Sequence, residues 1–228
     1  MFPLAGDMSI RLWDLDHGRI VAHSETIVGV PGLRSARTMS VEREFETVDR
    51  ILASDAQTRG VDAFALSIIK AERQVRKLFT HLVYQFPAFG IADVPALRGA
   101  LVASRRVYFT GFLHGLDALY ARSVEGIVGP DYPRLKAKLD EAIDHRKKIF
   151  HGQLTSRSLS GADLISLAGD IRVWCTTLGN SSSAEVGYDG FGRNSFQKST
   201  IPDLWMRYRV QLGSIADYEA FIRANMER

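Results

Sequence analysis

The chain has 228 residues, of which 46% are hydrophobic and 24% charged, a composition typical of a globular protein with one large core. The formal net charge is +3, and arginine supplies 22 of the 29 basic residues, a bias that suits bidentate contact with phosphate. The single cysteine, Cys175, excludes a disulfide framework and a cysteine-based metal site. The sequence has neither a long uncharged apolar run nor the features of a signal peptide at its start, so we expect a cytoplasmic protein.

The first 35 residues differ from the rest of the chain in their pattern of turn-forming and β-branched residues, which predicts a small β-hairpin appendage. An Asp-His-Gly group at residues 16–18 favours a turn between two short apolar segments, and a β-branched run at residues 26–30 precedes a Pro-Gly pair. We therefore expect two domains. The appendage covers residues 1–35, and a helical bundle with a C-terminal extension covers residues 36–228.

From Ser40 onward, apolar residues recur at steps of three and four, which predicts amphipathic helices. The first stripe consists of Val41, Phe45, Val48, Ile51 and Leu52. The second continues over about six turns of helix. Its members are Phe64, Ile68, Ala71, Val75, Leu78, Phe79, Leu82 and Phe86. The sequence thus predicts a mainly α protein.

The remaining helices carry recognisable start signals. Asp93 and Pro95 open a helix whose stripe is predicted to run without a break through Leu97, Leu101, Tyr108, Phe112 and Leu119. Asp131 and Pro133 open another, which reaches residue 150. Ser160 and Asp163 have the spacing of a capping box, and the helix that they start is predicted to end at Gly179.

The segment from residue 180 to residue 199 is polar and rich in glycine, which predicts a long ordered loop. Tyr188 and Phe191 lie within this loop, where they either stack on nucleic-acid bases or pin the loop to the protein surface. The residues after the loop include apolar and aromatic side chains up to Leu212 and a short amphipathic segment after Ser214. We expect them to pack on the bundle.

Arg146 projects from the middle of an apolar stripe on the helix that ends near residue 150. That stripe is formed by Leu135, Leu139, Ala142, Ile143, Ile149 and Phe150. A guanidinium in such a place costs several kcal/mol unless it meets an anion or lines a wet groove. The segment from His145 to Gly152 is therefore the best functional candidate in the chain.

This arrangement resembles the HEPN superfamily (higher eukaryotes and prokaryotes nucleotide-binding domains) over roughly residues 60–180. The resemblance rests on long antiparallel helices, an Arg-x4-His-Gly motif near the end of the third, and a capped helix that contains Trp174. Many members are metal-independent endoribonucleases of toxin, abortive-infection and antiviral systems. The resemblance implies an HEPN-like antiparallel helical bundle that cleaves RNA with Arg146 and His151 as the catalytic pair and with no metal or cofactor. Its expected partners are RNA, a second copy of the chain and an antitoxin or other regulatory protein, with no membrane.

The residues around the motif arginine are candidates for substrate binding. Active family members often carry Asn, Asp or His just after that arginine, whereas Lys147 occupies this position here and His145 precedes Arg146. Lys147 and Lys148 would strengthen RNA binding by releasing counterions. In the alternative interpretation, the two lysines only form a solvated face of the helix.

A second Arg-x4-His match joins Arg76 to His81. Both residues fall about 100 to 120° from the apolar stripe of their helix, where the pattern predicts a solvated pair. Because Arg146 lies on its stripe and Gly152 stands at a predicted helix end, we prefer the Arg146 motif as the functional one.

The motif suits RNA cleavage without a metal. A neutral His151 can accept the proton of a ribose 2′-hydroxyl, and Arg146 can hold the phosphate as its negative charge rises. Five residues of unbroken helix, however, separate the two side chains by about 140° and by about 7.5 Å along the axis. The pair can therefore meet one phosphate only if the helix ends near Phe150 or if two protomers share a groove.

Three other hypotheses stay open. In the first, the protein is a non-catalytic HEPN module that binds a nucleotide, RNA or a protein and serves in dimerisation. In the second, it is a helical interaction protein in which Arg146 pairs with a carboxylate such as Glu72. In the third hypothesis, Arg146 and the two lysines after it only complement the C-terminus of a helix that His151 and Gly152 cap. A metalloenzyme is disfavoured because six scattered histidines show no ligand pair at helical spacing, and a phosphate-binding P-loop is missing.

Overall fold

A computed structural model describes residues 41–104, 106–150, 159–192 and 194–227. The predicted hairpin of residues 1–35 lies outside these residues. Within them the protein is mainly α-helical, as predicted, and no β-strand is present. The helices are α1 (Val41–Leu52), α2 (Arg59–Tyr84), α3 (Val94–Ala103), α4 (Phe109–Leu119), α5 (Val124–Val128), α6 (Tyr132–Phe150), α7 (Gly161–Val186) and α8 (Ile215–Asn225).

The two 26-residue helices α2 and α7 form the centre of the bundle. Their first turns touch, since a Cβ atom added to Gly60 would lie 2.8 Å from the carbonyl oxygen of Gly161. Fourteen residues further along each helix, the side chain of Gln74 donates a hydrogen bond to the carbonyl of Cys175. The two helices therefore run parallel, and the predicted antiparallel arrangement does not describe this pair.

The apolar stripes predicted for α1 and α2 are confirmed as core. Every member of the α2 stripe is buried, and so are Val41, Phe45 and Val48 of α1. Trp174 of α7 is fully buried beside them. The core arises because one continuous apolar face of α2 meets the faces of α1, α4 and α7, which removes hydrocarbon from water over the whole length of the helix.

The prediction of one continuous helix from residue 93 to residue 119 was wrong. The structure has two helices, α3 and α4, because Ser104 is extended and Val107 forms an antiparallel bridge with Glu227. The Ser104 hydroxyl also donates to the Glu227 carboxylate. Tyr108, which was predicted to lie on the stripe, is 64% exposed. The spacing of apolar residues continues across the break. The break could therefore not be predicted without the contacts that Glu227 makes with this segment.

The predicted end of α7 at Gly179 was also wrong. The helix continues to Val186 and ends at Gly187, which has the left-handed conformation (φ +74°) common after helices. Gly179 lies within the helix, against the side-chain amide of Gln74. The predicted capping box at the other end is confirmed: Ser160 Oγ accepts from the Asp163 amide, and the Asp163 carboxylate accepts from the Ser160 amide.

After Gly187 the chain folds back over α2. Tyr188 and Phe191 are 2% and 1% exposed, so they pin this segment to the protein, as one of the two interpretations predicted. The chain then forms a 3-10 turn at Leu204–Arg207, and α8 packs on α3 and α4, as expected for the segment after Ser214. Among the helices of the described residues, none combines the length and the apolar character that crossing a membrane requires.

Candidate functional site

Arg146 lies in the last two turns of α6, and its side chain is 34% exposed. The Nη1 atom donates a hydrogen bond to Oε1 of Glu72 on α2, at 2.6 Å. The anion that Arg146 needs on an apolar stripe is therefore the carboxylate of Glu72 in the same chain. The hypothesis of a helical interaction protein named this residue. A guanidinium has five N–H donors in a planar fork, a geometry that suits bidentate contact with a carboxylate or a phosphate.

Glu72 stands between two arginines. Arg146 reaches it from α6, and Arg76 follows it by four residues on α2, on the same face of the helix. Burial raises the pKa of Glu72, and the charges of Arg146 and then Arg76 lower it without cancelling the effect of burial. Its side chain is 29% exposed, so the carboxylate lies partly out of water between two cations.

The turn after Arg146 is positively charged. Lys147 is 67% exposed, and its Nζ atom lies 3.7 Å from the carboxylate of Asp144. Lys148 is partly buried. Both residues belong to the helical part of α6, where cations complement the negative end of the helix dipole. The same charges would attract the phosphate backbone of RNA.

His145 has a different position from its neighbours. It is only 8% exposed, and its Nε2 atom lies 3.8 Å from Oε1 of Glu141, one turn earlier on α6. Within the part of the chain that the structure describes, its Nδ1 atom has no hydrogen-bond partner. A direct contact between His145 and RNA would require the ring to leave this buried place.

His151, the proposed base, lies outside the described residues. The helix α6 includes Phe150, so the backbone is helical from Arg146 up to the residue before His151. The separation of about 140° between the two side chains would hold if the same geometry continued for one more residue. The shared groove between two protomers therefore stays a prediction.

The second motif, Arg76 with His81, does not form the solvated pair that was predicted. Arg76 is exposed, but His81 is fully buried. Its ring lies 4.7 Å from that of Tyr188, and Nδ1 donates to the carbonyl of Ser195 at 3.3 Å. The prediction failed because the segment after Gly187 covers this side of α2. A helix pattern by itself carries no information about such a cover.

Arg76, which the sequence pattern assigned only to the second motif, also lies beside Glu72, the partner of Arg146. Arg76 and Arg146 act on the same carboxylate, so the exposed Arg76 of α2 and the partly buried Arg146 of α6 form one cluster around Glu72. The signal that would have found Arg76 is its spacing of four residues from Glu72, the carboxylate already paired with Arg146 in one hypothesis. Tyr188 and Phe191, by contrast, are buried and offer no stacking surface.

No group of three or more His, Cys, Asp or Glu side chains gathers into a possible metal site within the described residues. Comparisons with protein-family models, with curated protein sequences and with solved structures gave no significant match. The Arg-x4-His motif and the geometry around Arg146 are therefore the features of this protein that bear on its function.

Proposed function

We propose that this protein is a metal-independent endoribonuclease of the HEPN type, with Arg146 as the phosphate-binding cation and His151 as the base. The observation that supports the proposal best is the position of Arg146. Its guanidinium is partly exposed near the end of a helix, in a cationic turn, five residues before a histidine. A phosphodiester at this place would meet a cation held in a defined orientation, and the proton acceptor would be a His151 side chain of the shared groove.

In the proposed reaction, His151 takes the proton of a ribose 2′-hydroxyl and the resulting oxygen attacks the adjacent phosphorus. The bond to the 5′-oxygen of the next nucleotide breaks, which leaves a 2′,3′-cyclic phosphate and, after protonation, a 5′-hydroxyl. Arg146 stabilises the charge that builds on the phosphate oxygens. By resemblance to the family, we propose a role as a toxin or antiviral effector, with an antitoxin or another regulatory protein as its controller.

The shared-groove arrangement is part of the proposal. Two protomers related by a two-fold axis would bring two Arg146 and two His151 side chains into one groove, which removes the angular problem within a single helix. The lysines after Arg146 would line the same groove and attract the RNA strand.

Substitution of the pair tests the proposal. Arg146→Ala and His151→Ala should each reduce cleavage of total RNA by orders of magnitude in excess EDTA, with circular dichroism unchanged. Arg172→Ala is the matched control, because Arg172 is also 34% exposed and also pairs with a carboxylate of another helix, Asp49. Undiminished cleavage by His151→Ala, or cleavage that requires Mg²⁺, would reject the assignment.

The second candidate is a non-catalytic binding module of the same fold. The observation in its favour is that Lys147 follows Arg146, where active family members often carry Asn, Asp or His. In that case the wild-type protein should bind RNA or a nucleotide and leave total RNA intact. Binding without cleavage, lost in Arg146→Ala, would decide for this candidate.

A further inference from the structure

The cluster around Glu72 offers a second cation to the proposed phosphate site. Arg146 approaches from α6 with its Nη1 atom 2.6 Å from Oε1 of Glu72, and Arg76 approaches from the next turn of α2. Two guanidinium groups repel each other, and a carboxylate between them offsets that repulsion. The three side chains therefore form an arrangement in which one anion organises two cations.

We propose that Glu72 is a positioning residue that holds the guanidinium groups of Arg146 and Arg76 together as one phosphate clamp for an RNA strand. The inference rests on the proposed function and deepens it. It adds Arg76 as a second phosphate-binding residue and gives Glu72 a role in the reaction that it performs through Arg146.

The geometry leaves the clamp open to a ligand. Arg76 is exposed and Arg146 is about one-third exposed, so a phosphate can reach both from the solvent side. A phosphate presents several acceptor oxygens, which suits two planar donors that approach from different helices. The neighbouring Arg73 is held differently, since its Nη1 atom bonds to Glu44 of α1 at 3.1 Å.

The first test measures binding without cleavage. The probe is a 2′-O-methylated oligoribonucleotide, which keeps its phosphates and lacks the attacking hydroxyl. Arg76→Ala should weaken binding by about tenfold and reduce the slope of log K against log salt by about 0.7, the value for one phosphate contact on a single strand. Arg172→Ala removes an equal charge from a matched ion pair and should leave the slope within error.

The second test asks whether Glu72 holds the arginines in place for the phosphate or competes with the phosphate for them. With a cleavable oligoribonucleotide, Glu72→Gln should bind as tightly as the wild type or more tightly, because a negative charge is lost, while kcat falls by about tenfold because the arginines are no longer held. Asp49→Asn, the matching change in the Arg172 pair, should alter neither value. A rise in kcat for Glu72→Gln would show that the carboxylate blocks the arginine and would overturn the proposal.

The outcomes distinguish failure of the phosphate clamp from failure of the proposed ribonuclease function. If the wild type cleaves RNA and both Arg76→Ala and Glu72→Gln behave like it, the clamp is rejected while the nuclease stands. If the wild type neither cleaves nor binds RNA, the proposed function is rejected, and the clamp with it. Loss of binding in Arg76→Ala together with slow cleavage in Glu72→Gln supports both.

Discussion

Gln74 and Asp189 are 115 residues apart in the sequence, yet the side-chain amide of Gln74 donates a hydrogen bond to the backbone carbonyl of Asp189 at 3.0 Å. The same amide donates to the carbonyl of Cys175 at 2.9 Å. One fully buried side chain thus joins α2 to α7 and to the segment that folds back after it. That segment is the one that covers His81, so the hydrogen bonds of Gln74 help to hold the cover over this histidine.

Removal of this amide should destabilise the protein. Gln74→Met keeps the length of the side chain and deletes both donated bonds, which should lower the free energy of unfolding by about 1–3 kcal/mol. Urea denaturation measures the change. Gln57→Met is the control, because Gln57 is exposed, and its effect should stay within about 0.5 kcal/mol. Equal effects of the two changes would show that the Gln74 bonds contribute nothing net.

Two glycines, compared with each other, show how tightly the segment after Gly187 packs against Gln74. Gly190 and Gly129 both have φ +84°, but a Cβ atom on Gly190 would lie 2.6 Å from Cγ of Gln74, whereas one on Gly129 would have no atom within 4 Å. Both alanine substitutions carry the strain of positive φ, about 1–3 kcal/mol. Gly190→Ala should cost at least about 2 kcal/mol more, because backbone and side chain of Gln74 must move. Similar urea midpoints for the two variants would contradict the close packing of this segment.

Acid should weaken the cluster around Glu185. Its carboxylate accepts hydrogen bonds from the Tyr120 hydroxyl at 2.9 Å and from Arg122 at 3.0 Å, and these bonds hold the pKa of Glu185 below its usual value. A lowered pKa means that the stabilisation is present above the unfolded-state value of about 4.3 and is lost as pH falls through the folded value.

Glu185→Gln should therefore be less stable than the wild type at pH 7, by about 0.5–1 kcal/mol for a half-exposed pair. The difference should shrink as the pH falls below the ordinary range of glutamate. Urea midpoints measured at several pH values check this. A difference that stays constant down to the acid transition would rule out ionised Glu185 as its source.

A mixed dimer tests the shared groove. If each of the two Arg146–His151 sites in the shared groove takes Arg146 from one protomer and His151 from the other, a heterodimer of Arg146→Ala and His151→Ala chains has one intact site of two. Mixing the two inactive proteins should then restore part of the ribonuclease activity. Absence of recovery, with heterodimers confirmed by native mass spectrometry, would mean that each protomer uses its own pair, and a monomer at micromolar concentration would reject the groove.

Several features could be predicted from local sequence because local physics determines them. The buried face of α2 follows from apolar residues at helical spacing, and the start of α7 follows from a serine and an aspartate that bond to each other's backbone. The need of Arg146 for an anion follows from the position of a charge on an apolar stripe. None of these inferences requires knowledge of what packs against the helix.

The tertiary structure decided what depends on contacts between distant residues. The break between α3 and α4 comes from Glu227, the burial of His81 from Tyr188 and Ser195, and the inclusion of Arg76 in the candidate site from the approach of α6 to Glu72. A stripe shows which face of a helix prefers to leave water, but the polar face can also be covered when another segment supplies its hydrogen bonds. That is why the sequence alone could single out Arg146 but could not tell that, of the second motif, His81 is buried and Arg76 stays exposed.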